Sequence, residues 1–171
     1  MMGQMTQRNQ PGPILEAIDL PGGAGFVSEL QRIWEAGNAA FPVDQRLPAQ
    51  AKSELLRAMR VGAPVEPGDA LVMATSGSTG VPKGVVLTHD AVAASAEAAN
   101  TRLAVTDQDH WLACLPLSHV GGLSVVTRSL HAGTRLTVHP GFDADAVMSS
   151  GASLVSLVAT AMARIDAAAF R

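Results

Sequence analysis

From Ala70 onward the chain alternates short apolar runs with helix-patterned segments, and that alternation restricts the fold more than any other feature of the sequence. "ALVMATS" (70–76) and "GVVLTH" (84–89) predict strands, and "DAVAASAEAANTRL" (90–103) predicts an alanine-rich helix capped by Asp90. "HWLACLP" (110–116) reads as strand, "VGGLSVVTRSLHAG" (120–133) as a helix stopped at Gly133, and "TRLTVHP" (134–140) as strand. A short helix in "FDADAVMSSG" (142–151), a strand in "SLVSLVA" (153–159) and a final helix in "TAMARIDAAAF" (160–170) complete the series. Strands separated by helices at this spacing imply an α/β fold, a largely parallel sheet with flanking helices. Upstream, "SELQRIWEAG" (28–37) predicts a helix opened by Ser28, with Leu30, Ile33 and Trp34 at helical spacing. A short apolar run "AAFPVD" follows, then a second helix in "PAQAKSELLRAMR" (48–60) and a Pro/Gly-rich loop in "VGAPVEPGD" (61–69).

Composition excludes several functions. The net charge of −3 and pI near 5.9 provide no basic stripe, so nucleic acid is not expected as a partner. Cys114 is the only cysteine and sits in an apolar run, which reads as a buried structural thiol. No apolar run approaches the ~18 residues of a membrane span, so no membrane partner is expected and a cytoplasmic location is the default. A hydrophobic fraction of 47% and mean hydropathy of +0.21 suit one buried core. Residues 1–13 read as a disordered leader and residues 14–171 as one incomplete domain.

Between the first two strands lies "TSGSTGVPKG" (75–84). Gly77, Gly80 and Gly84 allow close backbone approach, so successive amides can turn toward one anion. Thr75, Ser76, Ser78 and Thr79 add hydroxyl donors, and Lys83 adds a full positive charge behind the stiffening Pro82. The nucleoside-triphosphatase P-loop pattern fails, because Pro82 stands where its second glycine would be and Gly84 follows the lysine in place of Ser or Thr. The G-x-G-x-x-G dinucleotide fingerprint fails on spacing. Ser118 beside His119 makes no nucleophile–base pair and lacks a G-x-S-x-G elbow. His110, His131 and His139 show no ligand spacing, so no protein-held metal is expected.

"TSGSTGVPKGVVLTH" resembles the phosphate-binding signature of the adenylate-forming superfamily: the acyl- and aryl-CoA ligases, the peptide-synthetase adenylation domains and the luciferases. "LACLPLSHVGGL" (112–123) is similar to the next family segment, where a His or aromatic residue closes over the acyl substrate; His119 would be that residue, with Gly121 and Gly122 beside it. "SLVSLVATAMARI" resembles a later strand and helix with Ala159 in place of the usual proline, and "WEAGNAAFPVDQRLP" resembles an upstream strand. The short lead into the loop and the proline-less segment look most like compact o-succinylbenzoate-CoA ligases of menaquinone biosynthesis. The resemblance implies ATP-dependent formation of an acyl-adenylate and transfer to coenzyme A. Thr75, Ser76, Gly77, Ser78, Thr79, Gly80, Lys83 and Gly84 would hold the nucleotide, Lys83 and His119 would be catalytic, and His119, Gly121 and Gly122 would face the acid. Mg²⁺ would bridge phosphate oxygens. Expected partners are a small carboxylic acid and, as an open possibility, further copies of the chain.

Other family segments are missing from the sequence. It contains no tyrosine, so the Tyr-Gly-x-Thr-Glu segment has no counterpart, no Thr-Gly-Asp occurs, and Lys83 is the last lysine. Two readings stay open at this level: the N-terminal part of a longer ligase, or a non-catalytic remnant that folds and binds phosphate ligands without turnover.

Overall fold

The computed structural model describes residues 12–75 and 82–170. Two sheets form within these residues. The first has the order β1 (Leu15–Ile18), β2 (Ala39–Pro42), β3 (Asp69–Thr75), β4 (Lys83–Thr88). Its β1–β2 and β2–β3 pairs are parallel, while β3 and β4 form an antiparallel hairpin. The second places β5 (His110–Ala113) between β6 (Arg135–Val138) and β7 (Leu154–Val155), all parallel. The α/β architecture and mostly parallel pairing follow the sequence pattern, with the hairpin as the exception.

Helices α1 (Ala24–Glu35), α2 (Ala49–Ala58), α3 (His89–Arg102), α4 (Val120–Ala132), α5 (Ala144–Met148) and α6 (Ala159–Met162) connect the strands. The stripe of α1 made by Phe26, Leu30 and Ile33, each at most 2% exposed, enters one cluster with Ile18 and Ala40 of the first sheet and Trp111 of the second. Leu123, Val125 and Val126 of α4 join the same cluster. A second cluster, Leu15, Phe41, Met59 and Val72, lies on the opposite face of the first sheet under α2. Cys114 is fully buried beside Leu112 and Val147, and burial pushes its thiol above the ordinary value, consistent with a structural role.

Several boundaries differ from the sequence pattern. Strand β1 falls where the pattern assigns no element, because "LEAI" is too short and mixed to signal one. Helix α1 starts at Ala24 after an uncapped Gly23, leaving Ser28 inside the helix instead of at its cap. Its end is legible: Gly37 at φ 77° donates to Trp34 O while Asn38 donates to Ile33 O, a Schellman stop. Thr88, not Asp90, caps α3; its hydroxyl accepts the Ala91 N–H at 3.2 Å, and Asp90 sits in the first turn. The strand expected over 153–159 is only Leu154–Val155. The helix expected over 160–170 splits into α6 and a 3₁₀ turn at Ala167–Ala169, where the Asp166 carboxylate accepts from Ala168 N–H and opens the new turn. Of the expected leader, residues 1–11 lie outside the described residues, and the Pro13 carbonyl accepts from Val65 N–H at 3.0 Å.

Phe41 is fully buried in the central strand β2. Phe41→Ala should destabilise the fold by about 3–5 kcal/mol through lost burial and an unfilled cavity, read as a lower urea midpoint at unchanged slope.

Candidate functional site

The hairpin β3–β4 presents the ends of the expected phosphate loop. Thr75 and Lys83 are direct cross-strand partners, so their side chains share a sheet face, that of Met73 and Leu87. The Thr75 hydroxyl donates to the Lys83 carbonyl at 3.2 Å, closing the neck of the loop. Lys83 stands exposed at that neck, whereas Lys52, the other lysine, is engaged by Asp19 at 2.7 Å. Ser76, Gly77, Ser78, Thr79 and Gly80 lie outside the described residues. Gly84 is on the opposite face from Lys83; a Cβ there would stand 2.9 Å from Val72 Cγ1 and 3.2 Å from Met59 Sδ, so it permits close packing over β3.

Two openings flank this neck. An apolar cleft of about 170 Å³ runs between the hairpin and helices α3 and α4, lined by Met73, Leu87, Val92, Val120, Leu123 and neighbouring residues. A second cleft brings Thr75 and Pro82 together with Ser118 and His119 across the ends of β2 and β3. His119 is the N-cap of α4, in extended conformation and with its side chain 58% exposed. Gly122 follows in the first turn, packed so closely that a Cβ would lie 2.4 Å from Pro116 O and 2.6 Å from Leu115 O; at Gly121 the nearest atom would be 3.9 Å away. The structure therefore brings Thr75 and His119 to one cleft, while Gly122 lies against the backbone that leads into α4.

Two charged residues to which the sequence pattern gave no role complete the site. The Arg46 guanidinium grips Asp44 through Nε at 2.9 Å and a second nitrogen at 2.6 Å, and that second nitrogen also donates to His119 Nε2 at 3.0 Å. Arg46 holds the Asp44 carboxyl down at about 2, and Asp44 in turn raises the guanidinium. The available signal was an Asp-x-Arg pair just past a buried strand; nothing local told that its partner would be a histidine 73 residues away. Nearby, Ser118 Oγ and His139 Nδ1 are buried without a hydrogen-bond partner among the described residues, and both line a small cavity that includes Asp44 and Arg46. Among the described residues no group of three or more His, Cys, Asp or Glu side chains could hold a metal ion. No described helix is long and apolar enough to cross a membrane.

Because Asp44 is depressed from 3.8 to about 2, its contribution to stability is complete above the unfolded value and is lost as pH falls from there toward 2. Asp44→Asn should therefore lower the urea midpoint at pH 7 and flatten its loss between about pH 4 and 2, measured against the parent chain.

Comparison with known proteins adds the family. The profile of the AMP-binding enzyme family matches residues 39–170. The probable 2-succinylbenzoate–CoA ligase of Mycobacterium tuberculosis is 36% identical over 159 residues, covering 88% of this chain and 41% of that protein. The 2-succinylbenzoate–CoA ligase of Bacillus cytotoxicus is 41% identical over 92 residues, 52% of this chain and 19% of that protein. Among solved structures, the o-succinylbenzoate coenzyme A synthetase of Bacillus subtilis in complex with AMP superposes with a TM-score of 0.80 at 25% identity, covering 89% of this chain and 51% of that one. The same enzyme has been solved with ATP and a magnesium ion. The chain thus spans about two fifths of the length of the curated Mycobacterium relative.

Proposed function

The chain belongs to the AMP-binding enzyme family, and from that premise we propose that it supplies the ATP phosphate-binding loop and part of the acyl pocket of an o-succinylbenzoate–CoA ligase. The observation that carries this reading is the cleft that brings Thr75, at the neck of the loop, together with His119, beside a second, apolar cleft walled by the hairpin, α3 and α4. Such a site suits a substrate with an apolar body and an anionic end that must meet a polyphosphate.

In the proposed reaction a carboxylate oxygen attacks the α-phosphorus of ATP, pyrophosphate leaves with the electron pair of the broken P–O bond, and a thiol later displaces AMP from the acyl-adenylate. Negative charge develops on the phosphate oxygens during the first step, and prearranged donors that meet it there lower the barrier. Lys83 is fitted to that task by its full charge at the neck, and Ser76, Gly77, Ser78, Thr79, Gly80 and Gly84 by their place along the same loop; the Thr75 hydroxyl would have to turn from the Lys83 carbonyl to join them. The aromatic-free apolar cleft would exclude water from the acyl body, and His119, in the neighbouring cleft with Thr75 and followed in the chain by Gly121 and Gly122, would face the acid. Mg²⁺, when bound, would neutralise charge shared between phosphates, taking its ligands from the nucleotide and water. Coenzyme A as acceptor belongs to the same proposal and rests on the names of the ligase relatives; the cytoplasm is the location proposed with it.

A second reading has one sequence fact in its favour. The absence of tyrosine means that the family's adenine-stacking tyrosine segment is not supplied by these residues. On that reading the chain binds phosphate ligands without turnover.

Acid-dependent exchange of labelled pyrophosphate into ATP separates the two. Exchange that requires o-succinylbenzoate over simple aryl acids and fatty acids is the result expected for a site assembled with the remainder of the fold, with Lys83→Ala slowing it by about 10²-fold. Equal rates for Lys83→Ala and the parent would overturn the loop assignment, and nucleotide binding without exchange by any acid would favour the phosphate-binding reading.

A further inference from the structure

We propose that Arg46 is a positioning residue that fixes His119 as the Nδ1–H tautomer and holds its ring at the cleft shared with Thr75. An arginine has donors and no acceptor, so the 3.0 Å contact between its guanidinium and His119 Nε2 requires a lone pair on Nε2. The hydrogen of the neutral ring then resides on Nδ1, because the bond made by one ring nitrogen sets the state of the other. Asp44 cannot take the role of partner: its Oδ2 is 3.8 Å from Nε2, beyond hydrogen-bond reach. What Asp44 does is anchor one edge of the guanidinium through both carboxylate oxygens, at 2.9 and 2.6 Å, so that a planar, rigid fork is aimed at the histidine. The Asp44 side chain is only 18% exposed, whereas Arg46 and His119 are 65% and 58% exposed, so the anchored end is Asp44 and the presented end is the imidazole.

The cluster also has a defined place. Asp44 and Ser118 line both the cleft that reaches Thr75 and the small cavity under Arg46, so the Asp44–Arg46–His119 chain forms the partition between them. Two segments far apart in sequence meet there: the turn that follows β2 and the N-cap of α4. With Nε2 occupied, the ring nitrogen left for a ligand is Nδ1, and it carries a hydrogen. His119 therefore serves as a hydrogen-bond donor to an oxygen of the incoming carboxylate or of the acyl phosphate, and not as the base that removes a proton. That consequence rests on the ligase reading above; the tautomer does not.

The test is nitrogen-15 NMR of the histidine side chains in the full 171-residue chain at a pH where the rings are neutral, with the His119 signals assigned by their loss in His119→Gln. The expected result is Nε2 at the shift of an unprotonated ring nitrogen and Nδ1 at that of a protonated one. In Arg46→Met the majority form should invert to Nε2–H, and Arg46→Lys, which restores a donor, should return it to Nδ1–H. His110, whose Nε2 lies 2.8 Å from Thr137 Oγ1, serves as an internal control for an intact fold. A wild-type His119 found mainly as Nε2–H overturns the proposal without recourse to any variant, as does an Arg46→Met chain that folds and keeps the wild-type tautomer. Acid-dependent exchange in a chain lacking the Nδ1–H form would leave the ligase reading standing and remove only the role of Arg46; the expected tautomer in a chain that exchanges with no acid would do the reverse.

Discussion

The rest of the structure depends on the apolar layer between the two sheets. Parallel strands leave both faces of a sheet to be covered, and here one packed layer covers a face of each: Phe26, Leu30 and Ile33 of α1 on one side, Val125 and Val126 of α4 on the other, with Trp111 of β5 in the same cluster. Fully burying each such side chain is worth about 1.5–3 kcal/mol, and their joint packing fixes how the ends of β2 and β3 face the start of α4. The contact between the turn after β2 and the start of α4 is a consequence of that registration. His119 meets Arg46 because α4 begins where the layer sets it, not because of anything near either residue in sequence.

Rigid and exposed parts are divided along the same line. The strand ends and the α4 N-terminus are held by buried neighbours, including a glycine at 122 that no larger residue could replace without displacing the Leu115 and Pro116 carbonyls. Lys83, His119 and Arg46, by contrast, are exposed and take their positions from backbone pairing or from an anchored ion pair. A site of this kind sets polar groups precisely by making their supports, and not the groups themselves, part of the core.

The legibility of the fold from sequence varied with the length of the signal. Long, strongly patterned segments such as α4 and its stop at Gly133 were readable, because the apolar spacing and an αL glycine at φ 65° are local properties. Short elements were read unevenly. The four residues of β1 carry no pattern of their own and were missed, while β7 was expected over 153–159 and keeps two residues, because the length of a strand depends on neighbouring strands that a window of sequence cannot see. The alanine-rich end shows the opposite error: helix propensity is high over 160–170, yet little apolar surface is present to dock a long helix, and Asp166 captures the Ala168 N–H to start a separate turn.

By itself the sequence determined the α/β class, since the alternation of apolar runs with helical periods is written along the chain, and it supplied the reason to propose a phosphate loop, since glycines, hydroxyls and one lysine fall within ten positions. Only the tertiary structure decided which residues share a cleft. Thr75 and Lys83 face the same way because antiparallel pairing puts them opposite each other, and Arg46 reaches His119 across 73 positions because two sheets close on one apolar layer. Local chemistry is a property of residue type and spacing; the meeting of distant side chains is a property of packing, which no local pattern encodes.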